Sequence, residues 1–386
     1  MSVRLPIQPG ETLGVLGGGQ LGRMFVHAAQ RLGYRCVVLD PDPDSPAAQV
    51  AEQHLQADYG DVDALAKLSS LARAATIEFE NVPAQTLRHL SNRVRVAPGA
   101  EAVAICQDRA LEKAQFARCG VACAPHALVD GESSLPGVAD RLLPGILKSA
   151  RLGYDGKGQR SVRDRDELSR AWRELDAVPC VLEQRLPLSR EISVVLARGS
   201  DGHCVHFAPF QNLHRDGILA VTQWPAPDLS AVLQVEAIDA AETIARSMDY
   251  VGVLCVEFFV LADGTLCANE IAPRPHNSGH CTIDACDVSQ FDLQVRALAG
   301  LPLAVPRMHS NAVMLNLLGD LWPGVAASAL APPWPALLAM PGAHLHLYGK
   351  RHARPGRKMG HLTLTAQTQG LALAHADEAA QLLGLQ

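Results

Sequence analysis

Two glutamates, Glu257 and Glu270, interrupt otherwise apolar runs on either side of an Asp263-Gly264 dipeptide. Asp-Gly between two such runs is a strong short-range signal for a tight hairpin. With Asp263 and Gly264 as the central turn residues, cross-strand partners have numbers adding to 527, which sets Glu257 opposite Glu270. Facing residues share one side of a sheet, with Cβ atoms about 5 Å apart, and like charges there repel. A hard divalent cation such as Mg²⁺, shared between the carboxylates and a substrate's phosphates, would offset the repulsion. Protonation of one Glu, or pairing with a nearby Arg such as Arg274, would also do so.

Other residues suit phosphate. Lys148 closes an apolar strand, and five residues on comes Gly153-Tyr154-Asp155-Gly156-Lys157-Gly158-Gln159. Three glycines expose backbone donors and Lys157 adds charge, the makings of a phosphate cradle. The spacing is not that of a Walker loop, and 159–162 reads as a strand, so the picture is a hairpin whose tip folds over a nucleotide; the plain alternative is a glycine-rich turn. Glu183 and Glu191 flank a break in the extended run, where backbone can pair with an adenine edge and a carboxylate can take ribose hydroxyls. For Glu191 the plainer reading is an acid opening a strand.

A further glycine loop, Gly17-Gly18-Gly19-Gln20-Leu21-Gly22, follows a strand and opens a helix, with Asp40 18 residues beyond Gly22. It reads as the phosphate turn of a nicotinamide dehydrogenase with its ribose acid, as glycines that let helix and strand pack closely, or as a holder for a phosphorylated substrate. Lys350, Arg351, Arg354, Arg357 and Lys358 form a basic cluster that, taken alone, is a solvated face.

The elements that must hold these groups follow from periodicity. Strands at 13–16, 35–39, 75–79 and 93–97 alternate with helices at 20–32 and 62–74, a βαβα rhythm that predicts an open parallel sheet. Residues 101–119 read as one helix and 121–129 as extended. Beyond 143, strands at 146–149, 180–184, 192–197, 251–261 and 265–271, with helices at 165–175 and 233–248, predict an α+β body. The Pro-rich stretch 319–341 reads as an irregular connector, and the last 45 residues as alternating strands and a closing helix.

At 386 residues the chain suits two or three domains. With 48% hydrophobic residues it is a globular chain, and a net charge of −6 with 4% aromatics argues against nucleic-acid binding. Ten cysteines without a CxxC pair read as reduced thiols of a cytoplasmic protein. No apolar run reaches membrane-spanning length, and the first residues lack the apolar stretch of a signal peptide.

Together, the strand lysine, the second glycine loop, the Glu-bearing connector and the facing glutamates resemble the ATP-grasp superfamily. Within it the chain is similar to the N5-carboxyaminoimidazole ribonucleotide synthetase family, through GVLGGGQLGRM (14–24), IEFENVP (77–83), GYDGKGQ (153–159), REISVV (190–195), NEIAPRPHNSGH (269–280), MLNLLGD (314–320) and RPGRKMGH (354–361). The resemblance implies a Rossmann-like pre-ATP-grasp domain (1–105), an ATP-grasp domain (106–310, with a mobile lid at about 120–187) and a small β-rich C-terminal domain (311–386). It implies ATP-dependent carboxylation of 5-aminoimidazole ribonucleotide with bicarbonate, through carboxyphosphate, by a homodimer of purine synthesis.

By the same resemblance, ATP is contacted by Arg109, Lys148, Gly153, Tyr154, Asp155, Gly156, Lys157, Gly158, Gln159, Glu183, Gln184, Arg185, Leu186, Glu191, His214, Asn269 and Glu270. Mg²⁺ is held by Glu257 and Glu270. The ribonucleotide and bicarbonate fall to Gln20, Leu21, Glu80, His276, Asn277, Ser278, Lys350, Arg357 and Lys358, and the chemistry to Tyr154, Asp155, Arg274 and Lys350. Two positions depart from the pattern: Ala272 replaces an Asn frequent two residues after the second metal Glu, and Leu152 stands where glycine is frequent.

Overall fold

The structure is a computed structural model that describes residues 5–153, 158–323 and 332–385. Near the N-terminus, five parallel strands run in the order Gln53–Leu55, Arg35–Leu39, Thr12–Leu16, Ala74–Ile77, Arg95–Val96. Their runs are apolar because both faces are covered, as parallel sheets require. Helix Gln20–Arg31 seals one face through Leu21, Phe25 and Val26. The expected elements are all present. The strand Gln53–Leu55 and the helix Ala84–Ser91 are additional, and each is too short for periodicity to reveal.

The single helix expected over 101–119 is two, Ala100–Cys106 and Arg109–Arg118. The break is at Asp108, whose carboxylate accepts the amides of Ala110 and Leu111 and so caps the second helix. Restarting the helix there puts Arg109, Glu112 and Lys113 in its first turns, facing the site described below.

Next comes a four-stranded antiparallel sheet, in the order His126–Val129, Cys180–Gln184, Gly145–Ser149, Gln159–Val162. Helix Arg165–Glu174 packs Leu168, Ala171 and Trp172 against it. A nine-stranded sheet forms the body. Its path begins Leu266–Ala272, Gly252–Leu261, Leu188–Arg198, Phe210–Arg215, Ile218–Trp224 and continues through Asn311–Leu318, Lys358–Ala366 and Ala343–Leu347. The C-terminal strands therefore extend the body's own sheet. Ile192, Val194, Val256 and Phe258 are buried with helix Ala231–Ser247 on one face. Strand alternation sends Glu257 to the other. Burying side chains of this size contributes about 1.5–3 kcal/mol each, which holds the strand in the register that presents the glutamate.

Candidate active site

Glu257 and Glu270 are direct cross-strand partners. The loop between their strands is not the expected two-residue turn: Val260 pairs with Leu266, and residues 262–264 form a three-residue loop with Gly264 at φ 86°. A bulge between Glu257 and Phe258 in the register, accommodating Asn269, restores the pairing. Each carboxylate has a nitrogen-bearing neighbour. Glu257 Oε1 lies 3.0 Å from His276 Nε2, and Glu270 Oε2 accepts from Arg109 Nη1 at 3.2 Å. Arg274, the partner considered from sequence, instead donates to Glu80. Burial alone would push Glu257 up, but His276, with His214 and Lys358 nearby, outweighs it and holds the carboxyl below its ordinary range.

Behind this pair stands a buried charge cluster. Lys148 Nζ reaches Glu183 Oε2 at 2.6 Å, and Lys113 Nζ reaches Oε1 at 2.9 Å. Lys113 and Glu183 are 1% and 3% exposed, so the glutamate is spent on two lysines and is not free to take ribose hydroxyls. Burial raises the Glu183 carboxyl, yet the two lysines bring it down to about 2. Lys113 also donates to the carbonyl of Asn269, tying the cluster to the Glu270 strand. Glu112, beside it, accepts the amide of Ile271 at 2.6 Å, and burial together with the Glu270 charge raises its carboxyl well above the usual range.

Of the connector, the amides of Gln184 and Arg185 are taken by the carbonyls of Pro125 and Pro144, and Leu186 accepts the amide of Leu188. Glu191 Oε2 lies 2.7 Å from His214 Nδ1. Burial lowers the histidine, but Glu191 and Glu257 reverse that and raise it. A cleft lined by Glu80, Arg109, Glu112, Leu152, Gly153 and Glu270 runs from the start of the second glycine loop to Glu270. Gly158 and Gln159 open the return strand; Tyr154, Asp155, Gly156 and Lys157 lie outside the described residues.

A polar chain runs away from Glu257. His276 Nδ1 meets Ser278 Oγ at 2.8 Å, Ser278 meets Ser193 Oγ at 2.8 Å, and Asn212 Nδ2 donates to Ser193 at 2.9 Å. Ser278 is thus fully engaged within the protein, whereas both polar atoms of the buried Asn277 side chain and Oδ1 of Asn269 have no partner among the described residues. Leaving such atoms buried and unpaired is costly.

The first glycine loop sits on an internal carboxylate. Gly22 donates to Glu78 Oε2 at 3.3 Å, and Gly18 to Asp40 Oδ2 at 2.6 Å. Asp40 also accepts from Tyr59 Oη at 2.7 Å and is 8% exposed. It is therefore no ribose acid, and the nicotinamide reading of this loop falls with it. Leu21 packs into the core, so only its backbone is offered to a ligand, while Gln20 starts the helix at the surface of the loop. Lys350 lies over the Tyr348 ring and donates to the carbonyl of Lys358 at 2.6 Å. Burial, then Arg357 beside it, lowers the ammonium to about 8, while Glu78 pulls the other way. Arg351 reaches Asp44 at 2.8 Å, which ties the basic cluster to the loop after strand Arg35–Leu39, while Arg351 and Arg354 stay exposed and Lys350, Arg357 and Lys358 are partly buried.

Comparison with known proteins decides the family. The chain matches the ribonucleotide synthetase preATP-grasp domain over residues 10–107, the ATP-grasp domain over 114–291 and the phosphoribosylaminoimidazole carboxylase C-terminal domain over 312–375. It is 46% identical over 360 residues to the N5-carboxyaminoimidazole ribonucleotide synthase of Brucella melitensis, covering 92% of this chain and 97% of that one. It belongs to the N5-carboxyaminoimidazole ribonucleotide synthase family.

Among solved structures, an ADP complex of an N5-carboxyaminoimidazole ribonucleotide synthetase superposes with a TM-score of 0.91 at 36% identity, covering 99% of each chain. The synthase of Aspergillus clavatus, in complex with ADP and 5-aminoimidazole ribonucleotide, superposes at 0.89 with 31% identity over 97% of this chain and 98% of that one. The chain is thus an ATP-grasp synthase by family and by fold. Among the described residues, no helix is long and apolar enough to cross a membrane.

Three residues of this synthase site escape a sequence reading. Lys113 and Glu112 sit on a helix whose polar composition reads as surface. Glu78 follows the strand Ala74–Ile77 directly, and because Glu78 and Glu80 lie in the bend beyond it, strand alternation does not reveal Glu78.

Proposed function

We propose that the chain carboxylates the exocyclic amine of 5-aminoimidazole ribonucleotide with bicarbonate, at the expense of ATP, through carboxyphosphate. The observation that carries this reading is the Glu257/Glu270 pair, tied through the Asn269 carbonyl to the Lys113–Glu183–Lys148 cluster, with Glu270 lining a cleft that continues to Glu80. The Aspergillus clavatus relative, with both ADP and the aminoimidazole nucleotide, supports the same assignment of substrates.

The Glu257 and Glu270 carboxylates, with the unpartnered Oδ1 of Asn269 between them in sequence, make an all-oxygen donor set that fits Mg²⁺. When bound there, Mg²⁺ neutralises charge on the transferring phosphoryl group. The chain's own cations complete the task. Lys148 and Lys113, fixed by Glu183, and Arg109, fixed by Glu270, present positive charge that needs no reorganisation as negative charge develops. Glu191 with His214 takes the ribose of ATP, and the 184–186 backbone the adenine.

Arg274 is locked by Glu80 and turned toward bicarbonate or the carboxyphosphate oxygens, beside His276 and Asn277. Lys350, Arg357 and Lys358 take the 5′-phosphate of the ribonucleotide, next to Gln20 and the first glycine loop. Tyr154 and Asp155, outside the described residues, approach the ribonucleotide, Asp155 accepting from its amine. The synthase works as a homodimer in the cytoplasm, a state that sedimentation velocity reads directly.

A coupled assay of ADP release tests the whole. Turnover requires the aminoimidazole nucleotide and bicarbonate together; ADP release indifferent to both would overturn the reading.

A further inference from the structure

Outside this site, an unusual group of side chains lies where the short helix Thr282–Ala285 meets the C-terminal strands Ala343–Leu347 and Lys358–Ala366. Asp284 Oδ2 is 2.9 Å from His346 Nε2, and its Oδ1 is 3.7 Å from His344 Nδ1. The ring of His346 stacks on that of His361 at 4.5 Å and 11°. His361 is fully buried, its Nδ1 meets Tyr348 Oη at 2.9 Å, and its Nε2 has no hydrogen-bond partner among the described residues. One donor atom each from Asp284, His346 and His361 lie within 4.8 Å of one another. None of these groups enters the reaction derived above.

We propose that Asp284, His346 and His361 form a site for a divalent transition-metal ion of the Zn²⁺ or Co²⁺ class, distinct from the Mg²⁺ pair. Two imidazoles and one carboxylate are a donor set that such ions take with a fourth position open, whereas Mg²⁺ prefers oxygen alone. Coordination needs neutral imidazole. Burial keeps His361 well below its ordinary value, so its ring is uncharged at neutral pH. In the tautomer whose Nδ1–H donates to the Tyr348 oxygen, the Nε2 lone pair is left for the ion, the usual arrangement of a histidine ligand.

Stacked rings do not aim their lone pairs at one point. Binding therefore turns the His346 ring about its Cβ–Cγ bond and exchanges its contact with Asp284 for a shared ion. His346 is partly exposed on an edge strand, which leaves it room to turn. Such an ion would clip the segment following His276–Gly279 to the strand that leads toward Lys350 and the strand that starts at Lys358. Its effect falls on stability more than on turnover.

The test uses the untagged full-length protein in excess Mg²⁺, titrated with Co²⁺ and read by visible absorption, with Zn²⁺ followed by thermal unfolding. One equivalent of Co²⁺ is expected, and Zn²⁺ raises the midpoint by mass action. His346→Gln and Asp284→Asn each weaken binding at least about tenfold. Glu257→Gln leaves the Co²⁺ signal in place. Absence of a Co²⁺ spectrum in the wild-type protein overturns the proposal whatever the variants do, as does a spectrum unchanged in both His346→Gln and Asp284→Asn.

Discussion

The two glycine loops of this synthase differ in what surrounds them. In the first, a Cβ on Gly17 would come 2.4 Å from Glu78 Cγ, one on Gly18 2.3 Å from Ser45 Oγ, and one on Gly19 2.6 Å from Glu78 Oε1. Glycine there makes room for protein: the amides are spent on Asp40 and Glu78, and the loop is closed before any ligand arrives. At the second loop the entrance is exposed. Leu152, at its entrance, is 73% exposed and adopts φ 61°, while Gly158 at its exit has φ 72°. A G-x-G-x-x-G spacing therefore predicts a tight approach of backbone to something, and only the neighbouring acids say whether that something is internal.

If the second loop's side carries the nucleotide and the first loop's side carries the ribonucleotide, substitutions on the two sides must separate. The largest effect is expected at Glu270. Glu270→Ala removes a carboxylate from the pair proposed to hold Mg²⁺ and frees Arg109, so turnover should fall on the order of 10²–10³-fold or more. Binding of Mg²⁺–ATP weakens far more than binding of the aminoimidazole nucleotide; near-normal rates in the coupled assay would break the assignment.

Lys113→Met comes next. It leaves Glu183 buried with one lysine, at a cost of about 3 kcal/mol read by urea denaturation. The acid limb carries a matching signature. The folded pKa of Glu183, about 2, is below the unfolded value of about 4.3. Its contribution is therefore complete above pH 4.3 and lost as the pH falls through 2, a total of about 3 kcal/mol. The variant should show a visibly flatter decline of stability between about pH 4.5 and 3 than the wild-type protein. Parallel declines would detach Lys113 from Glu183.

Gly17→Ala probes the closed loop. Its φ is 99° and the added Cβ meets Glu78, so about 2 kcal/mol of stability should be lost. The Michaelis constant for the ribonucleotide should rise while that for ATP stays. A rise for ATP alone would exchange the roles of the two loops.

These sites were unequally legible in the sequence. The Glu257/Glu270 pairing follows from turn arithmetic, but through two offsetting departures: a three-residue loop shifts the register by one and the bulge at Asn269 shifts it back. The two-residue turn with positive φ at both central positions is instead at Asp216 and Gly217, between strands that the sequence reading passed over. Bulges depend on the neighbouring strand, which no single segment reveals. Lys113 was hidden because a lysine in a polar helix reads as solvated; only the buried Glu183, 70 residues away, makes it internal. Asp40 misled for the reverse reason, since spacing placed it correctly beside the loop but could not say that it faces the loop's own amides.

The smallest and sharpest test of the open loop is Leu152→Gly. A left-handed backbone costs a non-glycine residue roughly 1–2 kcal/mol. Glycine removes that strain but returns about 0.4–1 kcal/mol through the greater freedom of the unfolded chain. With Leu152 mostly exposed, little packing is lost, so the net gain is about 0.5 kcal/mol and the melting midpoint rises by no more than about 2 °C. The mechanical consequence is separate from the thermodynamic one. A leucine restricts the backbone at the entrance to the 153–159 loop, so the glycine variant should raise the ADP release rate more than it changes the Michaelis constant for ATP, if loop opening limits turnover. The same substitution made in the closed loop's manner, Gly158→Leu, would drive a Cβ to 2.6 Å from Ser149 Oγ and destabilise. Equal and neutral responses from Leu152→Gly and Gly17→Ala would erase the distinction between an exposed loop entrance and a loop built around Glu78.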